Sequence, residues 1–528
     1  MLIMLDLVIK KPTNIKNDIL SGITVALALV PEAIAFSFVA HVDPIVGLYA
    51  AFMMGLITAI FGGRPGMISG ATGAVAVIFA PLVISQSAIH GPQIALQYLF
   101  LAVILMGLIQ IVFGALKFGK FVRLIPHSVM LGFVNGLAIV IFKAQLDQFY
   151  VGTGITKTLM SAQPLTIMII LIAVTMLISQ FLPKLTKVIP ATLAAIVTVT
   201  GISILLQNMG YKIYTVIDFV QNIDPSKTTI AAGFPTFQIP MFSIEAIKIV
   251  LPYAILASLV GLIESLMTLT LVDELTQTRG RGNKESIGQG LANVINGFFG
   301  GMGGCAMIGQ SMINIRGGGR GRLSGITAAL SLLIFFMFGA KLIELIPLAA
   351  LVGVMFMVSI ATFEWSSFRI LNKIPKSDAL IIFIVSITTV IVDLAIAVIL
   401  GVIISALVFA WERGKTITVD TAIKKNGAKC YRLQGHIFFG SATAFKELFN
   451  VQKDPDKVVI NFENARIYDH SGIEALQNII ERYKNENKKI YLHQLSKECS
   501  QLLKKANNIV EMTVIENLDW HIATDKLG

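Results

Sequence analysis

Apolar runs dominate the first four hundred positions, and they recur at lengths near the roughly twenty residues that a helix needs to cross a bilayer. Candidate spans lie near 19–39, 46–62, 95–116, 127–144, 164–182, 189–207, 249–271, 323–340, 343–361 and 379–411. The last is too long for one crossing and is interrupted by Asp393, so it reads as two short helices. Three further segments, near 70–85, 286–300 and 305–315, are apolar but short or rich in glycine, and read as half-helices or short spans. The pattern predicts about fourteen transmembrane segments. From about residue 412 the period changes. KCYRLQGHIFFG reads as strand, SATAFKELF as helix, DKVVINFENA as strand, SGIEALQNIIERYKNENK as helix, KIYLHQL as strand, and KECSQLLKKANN as a last amphipathic stretch before MTVI. Strand and helix in alternation predict a compact α/β domain. The expected fold class is therefore a mainly α polytopic membrane protein with a small cytoplasmic α/β domain, divided as 1–411 and 412–528.

Composition agrees. Of 528 residues 55% are hydrophobic and only 14% charged, with mean hydropathy +0.77, whereas soluble domains carry about 25% charged residues. Residues 1–410 hold 24 Lys and Arg with 16 Asp and Glu, and the much shorter remainder holds 18 and 15. The net charge of +11 thus sits largely in loops of a membrane protein, which argues against a nucleic-acid partner. With the N-terminus placed inside and the connections alternated, eighteen of those 24 cations fall on the inner side, among them Lys10, Lys11, Lys120, Arg123 and Lys187. Six fall outside: Lys143, Lys157, Lys212, Lys227, Lys248 and Lys341. That asymmetry orients the N-terminus and the tail toward the cytoplasm of a multi-pass plasma-membrane protein. The stretch before the first span lacks a small-residue cleavage pattern, so no removable signal peptide is expected. Cys305, Cys430 and Cys499 are widely spaced and odd in number, and indicate neither a disulfide framework nor a zinc site.

An internal repeat emerges when residues 22–40 are set beside 254–272. Each segment carries a single glutamate in an apolar helix, Glu32 and Glu264, and each is followed by a glycine-rich break, MISGATGAVAV at 67–77 and MGGCAMIGQSM at 302–312. Two halves of about seven helices, an odd number, would be inverted relative to one another, as in secondary transporters. A half-helix starting inside the membrane leaves backbone N–H groups without partners and directs a partial positive charge at its N-terminus, so two such ends make an anion site without an arginine. The candidates are Ser69, Gly70, Ala71, Thr72 and Gly73 in the first half, and Gly304, Cys305, Ala306, Met307 and Ile308 in the second. The alternative is that these small residues only let helices pack closely. A carboxylate at membrane depth usually lines a cavity, pairs with a cation or carries a proton. Glu264 and Glu32 are accordingly candidate coupling groups, against the alternative of acids hydrogen-bonded between helices. Thr268, one turn beyond Glu264, offers a hydroxyl to a cation or water.

Other features carry less. Lys143 reads as a side chain snorkelling to the interface. The basic glycine-rich loops GGRPG, TRGRGNK and RGGGRGRLSG follow no soluble strand and are explained by topology and lipid headgroups. Ser471, three residues before Glu474, has capping-box spacing and reads as a helix cap, with a regulatory phosphosite as the other reading. No catalytic constellation or metal cluster stands out, so an enzyme is not expected.

The segments LSGITVALALVPEAIAFSFVA, DPIVGLYAAF, FGGRPGMISGATGAVAV, IGQGLANVINGFFGG, RGGGRGRLSG and DHSGIEAL together resemble the sulfate permease family of anion transporters over essentially the whole chain, the last looking like part of a STAS domain. The resemblance implies seven-plus-seven inverted repeats, a core domain moving against a gate domain, a cytoplasmic STAS domain and a homodimer. It also implies an anion held between the third and tenth helices, which maps to Ser69–Gly73 and to Ala306, Met307, Ile308, Gly309 and Gln310, with Glu264 as the coupling acid of the eighth helix. Many members have Gln where Glu32 stands, and several animal members have Arg near Gln310. In the family's sodium-coupled bicarbonate transporters an Asp occupies the Glu264 position and a hydroxyl faces the ion from the tenth helix; Thr268 fits that pattern, and Ile308 replaces the hydroxyl. The expectation is secondary active transport of bicarbonate or sulfate with no cofactor beyond a coupling ion, H+ or Na+, the latter near Glu264 and Thr268. The partners expected are the anion, lipid, a second copy and a cytosolic protein at the STAS domain. The alternatives are a nucleobase or dicarboxylate permease of the same architecture, and a membrane scaffold acting through its STAS tail.

Overall fold

The computed structural model describes residues 15–118, 126–151, 158–185, 190–223, 229, 233–371, 373–392, 394–414, 417–423, 427–496, 499 and 517–518. The sequence readings that fall on the residues before Ile15, on Lys120, Arg123, Lys157, Lys187, Lys227 and Asp393, and on KECSQLLKKANN (apart from Cys499) and MTVI lie outside the described residues. The chain forms two compact units, residues up to 402 and residues 403–526.

The first unit is helical. Its helices are α1 Ile15–Val39, α2 Pro44–Phe61, α3 Gly73–His90, α4 Pro92–Ala115, α5 His127–Gln145, α6 Ala162–Leu185 and α7 Ala191–Asn208 in the first half. The second half has α8 Ile244–Thr276, α9 Gly282–Phe298, α10 Ile308–Arg316, α11 Arg322–Glu344, α12 Leu348–Thr362, α13 Lys376–Ile391 and α14 Leu394–Gly414, the last running into the second unit. Every apolar segment of the sequence falls on one of these, and among the described residues ten helices are long and apolar enough to cross a membrane. Two starts follow capping chemistry: the Asp43 carboxylate accepts from Ile45 N at 3.0 Å with Pro44 opening α2, and the Ser243 hydroxyl accepts from Ala246 N at 3.0 Å before α8. The segment near 70–85, read as a short or half-helix, is a full 18-residue helix, because nothing polar enough to stop it occurs before Gly91.

The packing repeats itself when the halves are exchanged. Helix α4 packs on α8 and α9 as α11 packs on α1 and α2, and α8 packs on α3 as α1 packs on α10. These eight helices form one group. Contacts among α5, α6, α7, α12 and α13 define a second, which meets the first chiefly along α1. Backbones inside the first group nearly touch: a Cβ on Gly107 or Gly290 would lie 2.5 Å from the other's carbonyl oxygen, and one on Gly22 would lie 2.5 Å from Ser324 O. Only glycine permits such crossings. The exposed faces are apolar, as at Leu185, Phe338 and Ile391, which suits a lipid surface.

The second unit is a four-stranded sheet in the order β3 Thr418–Ile423, β4 Lys429–Ile437, β5 Lys457–Ile467, β6 Lys489–His493, with β3 antiparallel to β4 and the rest parallel. Helices α15 Ala442–Glu447 and α16 His470–Asn485 cover it, and α16 buries Ala475, Leu476, Ile479, Ile480 and Tyr483 against Tyr431, Phe445 and Phe462. Strand β3 was not foreseen; its pattern is short and mostly exposed. The cap reading of Ser471 is corrected: Asp469 caps α16, its Oδ1 accepting from Gly472 N at 2.9 Å and its Oδ2 from Phe439 N at 2.8 Å, and Ser471 is half-buried inside the first turn. A carboxylate two residues earlier reaches both amides and displaces the hydroxyl. Asp454 is buried beneath the sheet, where burial opposes its ionisation but hydrogen bonds from Lys429, Tyr431 and Tyr483 outweigh it and hold its carboxyl below the usual aspartate range.

Candidate functional site

Both glycine-rich breaks become strands of two residues. Ser69–Gly70 (β1) and Cys305–Ala306 (β2) pair antiparallel, Ser69 opposite Ala306 and Gly70 opposite Cys305. The register continues through Met307 N to Ile68 O at 2.9 Å. Gly304 is essential to this approach, since a Cβ there would meet Gly70 O at 2.0 Å. Helix α3 starts just after β1 and α10 just after β2, so the antiparallel pairing leaves the two helix N-termini at opposite ends of the short ladder inside the bundle. Neither start is capped by a side chain: Thr72 before α3 and Met307 before α10 have extended backbones and make no cap bond. The first-turn N–H groups therefore have no intrahelical acceptor, and each end carries partial positive charge.

A polar scaffold holds the strands. On α9, Glu285, Gln289 and Asn293 recur at four-residue spacing on one buried face. Asn293 accepts from Gly304 N and donates to Gly304 O, both at 3.0 Å; Gln289 donates to Ser69 Oγ at 2.7 Å and to Glu285 Oε1 at 2.8 Å; and Glu285 accepts from Gly63 N at 2.7 Å and Arg64 N at 3.2 Å. Ser265 Oγ accepts from Ala306 N at 3.1 Å, and Ser311 Oγ from Ile68 N at 3.0 Å. Arg322 donates to the carbonyls of Ala59, Ile60 and Gly62 at the end of α2, and Arg64 is ion-paired with Asp273 at 3.1 Å.

The two carboxylates have different partners. Cys305 Sγ donates to Glu264 Oε2 at 3.0 Å, and Thr72 Oγ1 lies 3.2 Å from the same sulfur. Glu264 is half-buried. Glu32 is buried and accepts a hydrogen bond from Gln310 Nε2, so it reaches from α1 into the first turn of α10. Thr268, fully buried, donates to the carbonyl of Glu264 at 2.8 Å, leaving only its oxygen lone pairs for a cation. The space differs as well. A Cβ on Gly73 would press on Phe36 and Ile141 at 2.8 and 3.1 Å, whereas one on Gly309 would meet nothing within 4 Å, and Gly309 is exposed with Ile308 half-buried. Ser69, Gly70, Ala71, Thr72, Ala306, Met307 and Gln310 are all buried.

The structure thus brings Ser69, Gly70 and Thr72 together with Ala306 and Glu264, and Gln310 together with Glu32. It does not join Glu32 to Glu264, and Ser471 belongs to the other unit. Sequence reasoning missed Gln289, Asn293 and Ser265, and it treated Cys305 as backbone only. The four-residue spacing on α9 was the available signal for two of them.

The sulfate permease family model matches residues 15–385, and the STAS domain model matches residues 421–519. The Putative sulfate transporter YbaR of Bacillus subtilis is 44% identical over 496 residues, 93% of this chain and 97% of that one. The bicarbonate transporter BicA of Picosynechococcus sp. is 32% identical over 516 residues, 91% of this chain and 88% of that one. Among solved structures, the transmembrane domain of a cyanobacterium bicarbonate transporter BicA superposes with a TM-score of 0.64 at 34% identity, over 74% of this chain and 98% of that one. Murine Solute Carrier 26 family member A9 shares the fold, with a TM-score of 0.80 at 17% identity, over 96% of this chain and 90% of that one.

Proposed function

The chain belongs to the sulfate permease family, a family of multi-pass membrane transporters rather than enzymes, and from that membership we propose that it is a secondary active transporter of a small inorganic anion, bicarbonate or sulfate, driven by H+ or Na+. The observation that carries the proposal is the antiparallel pairing of β1 and β2, from whose opposite ends α3 and α10 start, with Glu264 hydrogen-bonded to Cys305 of β2. In this reading the anion lies between the two helix ends, accepting from first-turn N–H groups and from the Thr72 hydroxyl. No Lys or Arg is needed there, because two partial positive ends supply the charge. That balance also explains coupling. An ionised Glu264 beside the site opposes a bound anion, and a proton or sodium ion on the carboxylate removes the opposition. Sodium would use the Glu264 carboxylate with the Thr268 oxygen.

The group of α1–α4 and α8–α11 carries the site, and α5–α7 with α12 and α13 serve as the gate against which it moves. The limited contact between the groups along α1 supports such movement. In this reading the STAS unit faces the cytoplasm, as the excess of Lys and Arg in the inner loops supports, and serves as a surface for a second copy or a cytosolic partner. The absence of an acid from α10 disfavours a nucleobase permease.

The test is uptake of labelled bicarbonate and sulfate into proteoliposomes under an imposed proton or sodium gradient, for the wild type and Glu264→Gln. Gradient-driven uptake that the substitution abolishes supports the reading and identifies the ion. Uptake of neither anion under either gradient refutes it.

A further inference from the structure

We infer that the Cys305 side chain is a positioning residue that transmits occupancy of the α3 helix end to the Glu264 carboxylate, linking anion binding to coupling-ion binding. The inference deepens the transporter reading and rests on it. Two contacts carry it. The sulfur lies 3.0 Å from Glu264 Oε2 and 3.2 Å from Thr72 Oγ1. A thiol has one proton, and with that proton directed at the carboxylate, the sulfur lone pairs accept from the Thr72 hydroxyl. Thr72 stands at the cap position of α3 with an extended backbone and yet makes no cap bond, so its hydroxyl is the side-chain donor at that end able to turn toward a ligand. Turning to an anion takes the hydroxyl proton from the sulfur, and the thiol then holds the carboxylate differently.

The relay is short and dry. Cys305 is exposed to neither water nor lipid, with 0% of its surface accessible, and Thr72 has 2%. It is also fixed, because Cys305 is paired through its backbone with Gly70, two residues before Thr72. Other ionisable groups on elements packed against α8 are His90 on α3, Tyr98 on α4, Lys284 and Glu285 on α9, and Arg316 on α10. The hydrogen bond to the Glu264 carboxylate comes from Cys305 alone among the described contacts. By linkage, whatever the anion does to the carboxylate, the coupling ion must do to anion affinity by the same factor.

The test is the factor by which the coupling ion lowers the anion Kd, measured by equilibrium binding of labelled sulfate and bicarbonate to the purified full chain, at acidic against neutral pH and with against without sodium. Cys305→Ala removes the donor, Cys305→Ser keeps one of smaller size, and Glu264→Gln serves as the uncoupled reference. The expected result is that the factor falls about fivefold toward one in Cys305→Ala and stays within about twofold of wild type in Cys305→Ser. Thr72→Val removes the other end of the relay, and should lower the factor even if Cys305→Ala fails to fold. An unchanged factor in Cys305→Ala, or an equal fall in Cys305→Ser, overturns the inference, since packing alone would then explain the residue. A wild-type factor of one for both ions overturns the coupling role of Glu264 itself, and this inference with it.

Discussion

The two halves of the site share a backbone and differ in chemistry. The pairing of Ser69 with Ala306 and Gly70 with Cys305 is preserved by a two-fold exchange that sets Ser69 on Cys305 and Gly70 on Ala306. The same exchange sets Thr72 on Ile308, Gly73 on Gly309 and Ala74 on Gln310. The first half therefore offers hydroxyls and is closed by Phe36 and Ile141, while the second offers a thiol, an isoleucine and an amide, and opens at Gly309. The carboxylates diverge in the same way: Glu264 bonds within its own repeat, and Glu32 reaches across to Gln310 of the other. Symmetric main-chain ends can hold an anion from both sides, and the asymmetric side chains confine the coupling ion to one of them.

Substitutions that break the shared backbone have the largest expected effect. Gly304→Ala drives a methyl into Gly70 O and separates the strands, so uptake should fall by about a hundredfold, with about 1–3 kcal/mol lost from stability; initial rates and a thermal melt in detergent check both. Next comes the contrast between the acids. Glu264→Gln should reduce gradient-driven accumulation by at least about tenfold, whereas Glu32→Gln leaves an amide facing Gln310 and should change the anion KM by only about threefold. Equal losses in the two would erase the proposed asymmetry. Ile308→Thr makes the second half resemble the first, and a lowering of anion KM by about twofold is expected, read from saturation curves.

The smallest effect on transport should come from outside both halves. Asp454→Asn weakens the bonds from Lys429, Tyr431 and Tyr483 and should destabilise the STAS unit by about 1–3 kcal/mol, seen as faster amide exchange over β4 and β5 in the full chain. Because the folded unit holds the Asp454 carboxyl below its ordinary value of 3.8, its contribution is complete above that pH. It is lost as the pH falls through the lower, folded-state value. Amide exchange that is unaffected by the substitution would contradict this role.

Much of the fold was legible because bilayer crossing imposes a length and an apolarity that few loops imitate. The paired breaks were legible too, since glycine clusters recurring behind equivalent glutamates are hard to explain by packing alone. What escaped the sequence depended on tertiary contact. Arg64 and Arg322 count in the sequence only as inner-side cations, yet each is buried and binds main-chain or side-chain oxygens of another helix. Cys305 reads as a small hydrophobe among alanines and glycines, and nothing local reveals that α8 places Glu264 against it. The Glu285, Gln289, Asn293 stripe was visible as a polar row on an apolar segment, but its purpose became clear only when Gly304 and Ser69 arrived beside it. Asp469 outcompeted Ser471 as a cap for a local reason, the longer reach of a carboxylate that also serves Phe439.

The central claim, an anion held where α3 and α10 begin, is tested most directly at Gly309, whose missing side chain faces open space. Gly309→Cys should be modified by a charged thiol reagent in proteoliposomes, modification should block uptake, and the transported anion should slow the modification in proportion to its KM, while wild type with its three buried cysteines stays unaffected. Modification that proceeds at the same rate with and without saturating anion, or that leaves the anion KM unchanged, would contradict the claim.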